Sequence, residues 1–194
     1  MNKQNYHDIF INNISEAINN LESLKTLKFK LNIQKLIDGL FLTLKNKKTI
    51  FLCGNGGSAA DSQHIAGEFV SKFLTKNRKS YPAISLASNQ SIITSIANDY
   101  DYTKIFERQV EGLAQKGDSI IGISTSGKSL NVIKALQLAK KKGLYTIMLT
   151  GKNCKDYKFV DLTIKTPGVR VDKIQELHLF ILHHACEILE KRAP

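Results

Sequence analysis

Two pairs of side chains in this sequence have the types and the spacing that acid–base or metal chemistry uses. His64 and Glu68 are four residues apart, so on a helix they lie on the same face. Gln175 and His183 line one face of a later predicted helix. A carboxylate can remove a proton from carbon, and an imidazole exchanges protons near neutral pH. Taken alone, His-x-x-x-Glu is typical of a surface pair or a buried hydrogen bond, so these pairs form an active site only if both helices meet.

Two loops rich in glycine and hydroxyl side chains could bind an anion. The segment 54–57 is Gly-Asn-Gly-Gly, and the segment 124–129 is Ser-Thr-Ser-Gly-Lys-Ser. Glycine lets the backbone approach an anion closely, and the free amides at a helix N-terminus bind phosphate oxygens. A single loop of this kind is typical of a tight turn with a helix cap. Two of them, each after a predicted strand, indicate a phosphate site.

Both loops also match nucleotide-binding motifs that the rest of the sequence does not support. The first loop fits G-x-G-x-x-A through Ala59, but the segment 87–89 (Ala-Ser-Asn) offers neither an acidic residue for a ribose nor an arginine for a 2′-phosphate. The segment 122–129 fits G-x-x-x-x-G-K-S, but Gly122 lies inside a predicted strand and no predicted strand ends in a magnesium-binding aspartate. Hydroxyls without such a carboxylate favour a monophosphate ester.

The apolar spacing predicts which elements carry these loops and pairs. Two N-terminal helices, over about 4–47, precede an alternation of strands and helices. Ser58 is predicted to cap the helix that follows the first loop. The alternation implies an α/β fold, a three-layer sandwich in which helices flank both faces of a five-stranded parallel sheet. The predicted strands are 49–53, 83–86, 119–123, 145–149 and 162–165, and the later helices are 58–73, 91–97, 129–142 and 172–191.

Composition excludes disordered, secreted disulfide-rich, membrane and collagenous proteins. The chain has 194 residues, 42% of them hydrophobic, and 28 basic against 17 acidic side chains give a net charge of +11. One globular domain over 1–194 is expected, since no apolar run reaches the ~18 residues of a membrane span and no apolar signal segment opens the chain. Three cysteines without metal-type spacing favour a reducing cytoplasm. Lysines at 45–48 and 140–142 end helices, and no basic stripe carries aromatic residues, so nucleic acid is not a favoured partner.

Five motifs in order make the chain resemble a known family. They are Cys-Gly-Asn-Gly-Gly-Ser-Ala at 53–59, His-x-x-x-Glu at 64–68, Ala-Asn-Asp-Tyr at 97–100, Gly-Ile-Ser-Thr-Ser-Gly-x-Ser at 122–129 and Ile-Gln-Glu-x-His-x-x-x-x-His at 174–183. Over nearly its whole length the chain resembles the phosphoheptose isomerases, a family of sugar-isomerase (SIS) domains. The resemblance implies isomerisation of sedoheptulose 7-phosphate to D-glycero-D-manno-heptose 7-phosphate through an enediol, which feeds activated heptose for lipopolysaccharide or capsule. It also implies a homotetramer with the N-terminal helices in its core and active sites between subunits.

The resemblance assigns roles to individual residues. Glu68 and His183 would be the catalytic acid–base pair. One Zn²⁺ ion per subunit would polarise the carbonyl of the sugar-phosphate substrate. The implied zinc ligands are His64, Glu68, Gln175 and His183. The phosphate would be held by Ser124, Thr125, Ser126 and Ser129, and the sugar would be contacted by Asn55, Gly56, Gly57, Glu68, Asn98, Asp99 and Gln175.

Three lysines depart from the family pattern, and two other functions stay open. Lys72 and Lys173 stand where the family often has arginine, which keeps the charge but loses the bidentate fork. Lys128 replaces a small polar residue of the phosphate loop, where it either attracts phosphate or points to solvent. The alternatives are a non-catalytic SIS-fold module that binds a phosphosugar or a replication initiator, and an isomerase or binder of another phosphosugar. A scaffold needs no acid–base pair, which favours the enzyme.

Overall fold

A computed structural model describes residues 3–192, with side chains from residue 5, so the ends of the predicted 1–194 domain lie outside the described residues. The predicted alternation of strands and helices is confirmed. The helices are α1 (Lys3–Glu22), α2 (Leu27–Lys45), α3 (Gly57–Val70), α4 (Gln90–Asp99), α5 (Glu107–Leu113), α6 (Leu130–Lys141) and α7 (Val171–Arg192). The strands are β1 (Ile50–Gly54), β2 (Ala83–Ser85), β3 (Ser119–Ile123), β4 (Tyr145–Gly151) and β5 (Leu162–Thr166).

All five strands run parallel in the order β2-β1-β3-β4-β5, so their carboxyl ends share one edge of the sheet. The strand order reverses between β1 and β3, which pair in register from Ile50 opposite Ser119. At such a switch point the loops that leave neighbouring strands diverge to opposite faces and open a crevice for a ligand. Both glycine loops of the sequence leave from this point, one after β1 and the other after β3.

Two apolar layers cover the faces of the sheet, as the three-layer prediction requires. Alternate residues of a strand point to opposite faces. In β1, Ile50 and Leu52 join the core formed with α2, α3 and α7, whereas Phe51 and Cys53 join the core formed with α4, α5 and α6. Helices α3 and α7 therefore share one face of the sheet, and α6 lies on the other. No helix among residues 3–192 has the length and hydropathy to cross a membrane.

The ends of helix α3 differ from the prediction. Ser58 does not cap the helix: the cap is Gly56, whose φ is +55°, and Ser58 is buried in the first turn. The Ser58 amide donates to the Asn55 carbonyl at 3.0 Å, so the tight turn itself starts the helix. The helix ends at Val70 rather than at residue 73, and Phe73 therefore belongs to the following loop.

One helix was not predicted, because its apolar pattern is short. Helix α5 has seven residues, of which Val110 packs into the core, and it follows a 3₁₀ turn over Tyr102–Lys104. The amide of Gln109 binds the carbonyls of Leu86 and Ile105, at 2.9 and 2.8 Å. Tertiary hydrogen bonds thus hold a helix that local propensity alone does not specify.

The amino edge of the sheet, opposite the glycine loops, is closed by two carboxylates. Asp118 accepts the amides of Thr49 and Gln115, at 2.9 and 2.7 Å. Asp161 accepts the amide and the hydroxyl of Thr146, at 3.0 and 2.9 Å, and pairs with Lys140. Burial alone would raise the pKa of Asp161, but Lys140 and the Thr146 hydrogen bonds outweigh it, and the pKa is lowered.

Candidate active site

The loop after β1 brings helix α7 against the start of helix α3. Gly56 takes its left-handed conformation there, and Gly57 begins the helix. A methyl group in place of the Gly57 hydrogen would lie 2.4 Å from Nε2 of Gln175, so the absence of a side chain lets the Gln175 amide approach. The first predicted sugar-binding loop therefore meets Gln175 in the first turns of α7, although 118 positions separate Gly57 from Gln175 in the printed sequence.

The loop after β3 gathers hydroxyl groups at the N-terminus of helix α6. The hydroxyls of Ser124 and Ser129 lie 2.9 Å apart, and Ser124 is buried. Ser129 is the N-terminal cap residue, yet its hydroxyl bonds Ser124 instead of capping the first amides of α6. Gly127, with φ of +67°, closes the turn by donating to the Ser124 carbonyl at 2.9 Å. Such a helix start, with amides directed outward and hydroxyls around it, suits a phosphate group.

Two asparagines tie the two loops together. Asn55 and Asn131 exchange reciprocal amide hydrogen bonds of 2.9 and 2.8 Å, although they lie 76 residues apart. The hydroxyl of Tyr102 also donates to the Asn55 carbonyl oxygen, at 3.0 Å. Asn55 was predicted as a sugar contact, whereas Asn131 and Tyr102 were missed. No sequence motif singles out Asn131, because the burial of its amide in the second position of α6 is visible only in the structure.

The segment between β4 and β5, for which the sequence motifs indicate no role, packs against the loop after β3 (residues 124–129), which is the predicted phosphate loop. The Tyr157 hydroxyl donates to the Gly127 carbonyl at 2.9 Å, and the Gly151 amide donates to the Thr125 carbonyl at 2.9 Å. A methyl group at Gly127 would lie 2.1 Å from the sulfur of Cys154. The loop conformation is therefore fixed by this segment as well as by its own turn.

Helices α3 and α7 meet a second time at two imidazole rings. Nε2 of His64 lies 2.8 Å from Nε2 of His183, and their ring centroids are 5.0 Å apart at 81°. A carboxylate oxygen of Glu68 lies 3.7 Å from the same His64 nitrogen. The Phe73 ring stacks on His183, with centroids 5.5 Å apart at 24°. The structure thus brings His183 of the second pair to His64 and Glu68 of the first, whereas Gln175 meets α3 at Gly57.

The environment keeps His183 neutral at physiological pH. Burial lowers the pKa of His183, the neighbouring His64 lowers it further, and Glu68 opposes both effects. A neutral imidazole has one nitrogen lone pair, which can accept a proton or bind a metal ion. One turn before His64 lies Asp61, which belongs to none of the sequence motifs. Burial raises the pKa of Asp61 against the effect of His64, and no residue among 3–192 offers its buried Oδ2 a hydrogen bond.

The side chains at the contact between α3 and α7 are of the types that bind zinc. Two imidazole nitrogens and a carboxylate form a common zinc ligand set. The imidazole nitrogens are 2.8 Å apart, whereas two nitrogens bound tetrahedrally to one zinc sit about 3.3 Å apart, so the rings must separate slightly to admit an ion. Gln175, the fourth implied ligand, lies against Gly57 instead. Within residues 3–192, no group of three or more His, Cys, Asp and Glu side chains is arranged to hold a metal.

Two predicted sugar contacts lie outside this junction. Asn98 and Asp99 end helix α4, are exposed, and hydrogen-bond with each other at 2.8 Å. Asp99 borders a groove of about 390 Å³ with Tyr100 and Arg108 on the outer side of α4. Within the described part of one subunit, neither residue bonds to the glycine loops. Tyr102, three residues after Asp99, is the residue of this region that reaches Asn55.

The three lysines that depart from the family pattern have different surroundings. Lys173 is buried and its ammonium binds the Glu176 carboxylate at 2.8 and 3.0 Å, so its charge is neutralised within α7. Lys128 is exposed in the phosphate loop, and its backbone amide donates to the Ser126 hydroxyl at 3.1 Å. Lys72 is exposed just after the end of α3.

Comparison with known proteins gives a consistent family. Residues 10–151 match the SIS domain family. The chain is 52% identical over 149 residues to the phosphoheptose isomerase of a Nitratiruptor species, covering 76% of this chain and 79% of that protein. It is 47% identical over 169 residues to the phosphoheptose isomerase of Clostridium acetobutylicum, covering 87% and 86%. The solved phosphoheptose isomerase of Neisseria gonorrhoeae superposes with a TM-score of 0.85 at 30% identity, covering 96% of this chain and 99% of that one.

Proposed function

The chain belongs to the SIS domain family and, within it, to the phosphoheptose isomerases, and on this premise we propose how its own residues carry out the reaction. It is an aldose–ketose isomerase that converts sedoheptulose 7-phosphate into D-glycero-D-manno-heptose 7-phosphate, a step of heptose biosynthesis. The non-catalytic alternatives are set aside, because relatives that are 47% and 52% identical are named as this enzyme.

The observation that carries the proposed mechanism is the meeting of α3 and α7 beside the two loops. A ketose becomes an aldose when a base moves a proton from C1 to C2 through an enediol while a second proton moves between the two oxygens. This reaction needs one group that accepts a proton from carbon and another that exchanges protons with oxygen. Glu68 and His183 are of these types, and both approach His64.

The phosphate end of the substrate is proposed to bind at the N-terminus of α6. Ser124, Thr125, Ser126 and Ser129 supply the hydroxyls, and the helix start supplies the amides. Asn55, Gly56, Gly57 and Gln175 then face the sugar at the start of α3, where Gln175 already lies against Gly57. When the phosphate is bound there, the carbon chain of the sugar is held in one position, and C1 and C2 are oriented towards the groups that transfer protons.

The proton transfers are assigned to Glu68 and His183. Glu68 takes the proton from C1 and returns it to C2. His183 is neutral because burial and His64 lower its pKa, so it can accept a hydroxyl proton from one oxygen and donate it to the other. The stacked Phe73 ring covers one face of the His183 ring and limits its contact with water.

We propose one zinc ion per subunit, held by His64, Glu68, Gln175 and His183. The proposal rests on the convergence of two imidazoles and a carboxylate and on the family resemblance. Zinc would polarise the substrate carbonyl and stabilise negative charge on the enediolate oxygens. Gln175 would have to turn from Gly57 to join the other three ligands.

A homotetramer is proposed from the family resemblance, and the apolar residues that one subunit leaves exposed support an assembly of subunits. Helix α1 exposes a row of large apolar side chains, and a contiguous apolar face of this kind marks an interaction surface. Beside it, α1, α2 and α7 line a mainly apolar groove of about 950 Å³. If subunits join here, Asn98 and Asp99 could contact a sugar bound between subunits, since within one subunit they bond only with each other among the described residues. The exposed residues of α1 are Tyr6, Ile9, Phe10, Ile11, Ile14, Ile18 and Leu21.

The remaining assignments are proposals about context. The SIS domain is proposed to span residues 1–194, beyond the matched segment 10–151. The enzyme is proposed to act in the cytoplasm, and its product to feed activated heptose for lipopolysaccharide or capsule. Nucleic acid is not proposed as a partner, since the lysines at 140–142 end helix α6 and its carboxyl terminus favours cations.

Turnover of sedoheptulose 7-phosphate by the purified, zinc-replete protein tests the function. We expect formation of the aldoheptose 7-phosphate, loss of activity after chelation and recovery on addition of zinc. Activity that is insensitive to chelation would remove zinc from the proposal but leave the isomerase in place. A protein that is correctly assembled and loaded with zinc, yet converts none of the substrate, would refute the proposed reaction.

A further inference from the structure

A buried carboxylate near the end of helix α7 holds the loop that follows α3. The side chain of Glu190 is 2% exposed, and its two oxygens accept the amides of Leu74 and Thr75, each at 2.8 Å. Arg78 places Nε 3.2 Å from the same carboxylate. Burial by itself would raise the pKa of Glu190, but the two amides and Arg78 outweigh it, so the pKa is lowered and the group is ionised.

Arg78 connects this carboxylate to the helix that carries Glu68. Its side chain is 7% exposed, and its guanidinium donates to the backbone carbonyl of Glu68 in the last turn of α3 as well as to the Lys79 carbonyl at 2.7 Å. It also lies 4.4 Å above the centre of the Tyr81 ring, whose hydroxyl donates to the Leu189 carbonyl of α7. Arg78 thus joins the end of α3 to the end of α7.

The loop held in this way carries Phe73, the residue that stacks on His183. Phe73 directly precedes the two residues whose amides bind Glu190. We propose that the Glu190–Arg78 ion pair positions the acid–base pair: it fixes the Phe73 ring on His183 and the α3 turn that carries Glu68. Neither Glu190 nor Arg78 reaches the proposed substrate site, so both are positioning residues, and the inference rests on the proposed roles of Glu68 and His183.

The Glu190–Arg78 ion pair couples the position of the loop after α3 strongly to the end of α7. Removing the charge of Glu190 leaves a buried guanidinium unpaired and weakens two backbone hydrogen bonds, so the loop must move to reach water. Movement of Phe73 then frees one face of His183 to rotate. The proposed phosphate-binding hydroxyls at the N-terminus of α6 take no part in this network, so the effect should fall on kcat rather than on KM.

The test compares Glu190→Gln with Asp161→Asn. Both substitutions replace a hydrogen-bonded, ion-paired carboxylate by an amide, but Asp161 lies at the amino edge of the sheet, away from the site. In Glu190→Gln we expect kcat for sedoheptulose 7-phosphate to fall about 10- to 100-fold, the size of a small misplacement of reacting groups. KM should stay within about threefold, and Asp161→Asn should keep kcat within about twofold, since neither change touches the phosphate loop.

A spectroscopic readout separates positioning from general damage. The Cε1–H resonance of His183, assigned by its loss in His183→Gln, carries the ring-current shift of the stacked Phe73. In Glu190→Gln this resonance should move towards that of an unstacked imidazole, as it should in Phe73→Leu, and it should be unchanged in Asp161→Asn. The double variant Glu190→Gln/Phe73→Leu should be no slower than the slower single variant, because Glu190→Gln already releases the Phe73 ring from His183.

Either of two results overturns the proposal. The first is a wild-type kcat in folded Glu190→Gln, and the second is a fall in kcat in that variant while the His183 resonance stays unmoved. If Glu190→Gln does not fold, Phe73→Leu decides, because it leaves the ion pair intact, and wild-type kcat in that variant overturns the proposal. If the wild-type protein itself does not convert the substrate, the proposed function fails, while the His183 resonance still tests the positioning.

Discussion

Glu68 and His183 have different surroundings, and this difference suits two roles in one reaction. His183 is covered by Phe73 and kept neutral, whereas the Glu68 side chain retains 23% of its exposure and faces His64. A neutral imidazole beside a carboxylate can exchange a proton with oxygen while the carboxylate acts on carbon. At this scale the chemistry depends on a few atoms, so conservative substitutions should have large effects.

Glu68→Gln should reduce kcat by about 10³-fold, the usual contribution of a general base, and leave the oligomer intact. The amide keeps the size of the side chain but cannot accept the C1 proton. Turnover and zinc content should be measured together, since Glu68 is also a proposed ligand. Near wild-type kcat would remove Glu68 from the mechanism, and activity regained with excess zinc would assign it to metal binding alone.

The sequence could identify single-residue candidates but not their contacts. The spacing of His64 and Glu68 places them on one face of α3, and this follows from helix geometry alone. The contact between His64 and His183 joins residues 119 positions apart, and no local pattern encodes it. Phe73 is the last residue of the predicted helix 58–73, whereas it lies in the loop beyond Val70 and stacks on His183.

At the scale of elements, the site depends on two turns that start helices α3 and α6. The positions of α3 and α6 were predictable, because the apolar runs of β1 and β3 end at Gly54 and Ser124 and are followed by helical spacing. The helix caps were less predictable. A serine was expected to cap α3, but the left-handed Gly56 does so, since its turn already supplies the first hydrogen bonds.

Gly127→Ala should lower stability by about 2–4 kcal/mol and raise KM at least tenfold. Gly127 has φ of +67°, and a methyl group there would lie 2.1 Å from the Cys154 sulfur, so the phosphate loop must shift. Gly112→Ala in α5 is the matched control, because nothing lies within 4 Å of its new methyl group. Denaturant midpoints and steady-state kinetics check both variants, and equal effects at the two positions would contradict the argument.

At the scale of the whole molecule, one buried histidine makes stability depend on pH. His178 is fully buried in α7, with Nε2 3.5 Å from the Thr166 hydroxyl and no partner for Nδ1 among residues 3–192. Burial lowers its pKa from 6.5 to about 4, although a hydrogen bond with the Thr150 backbone opposes the shift. The unfolded chain therefore binds a proton in this pH range that the folded chain does not.

Stability should be fully present above pH 6.5 and fall by about 3 kcal/mol as the pH drops towards 4. Urea midpoints measured between pH 4 and pH 7 check the slope. His178→Gln should be less stable at neutral pH but lose this part of the pH dependence. The exposed His184, replaced by Gln, should leave the slope unchanged, and parallel curves for all three proteins would exclude His178 as the cause.

The assembly proposed from the apolar face of α1 can be tested by a charge. Phe10→Lys should shift the oligomer to a smaller species, because Phe10 is 63% exposed in one subunit and a lysine cannot be buried there without cost. Leu113→Lys, at an exposed position at the end of α5, is the control. Light scattering during size-exclusion chromatography measures the mass, and turnover should fall with dissociation if the sites lie between subunits. An unchanged mass would place the interface elsewhere.

The two edges of the parallel sheet contribute differently to the proposed site and to stability. The carboxyl edge holds both glycine loops, whereas Asp118 and Asp161 close the amino edge with hydrogen bonds to backbone amides. Sequence changes at the amino edge can therefore alter heat tolerance without disturbing the reaction. Changes in the loops of the carboxyl edge alter substrate binding and, at a position such as Gly127, the stability of the fold as well. A chain built in this way can adapt to a new growth temperature without changing its substrate.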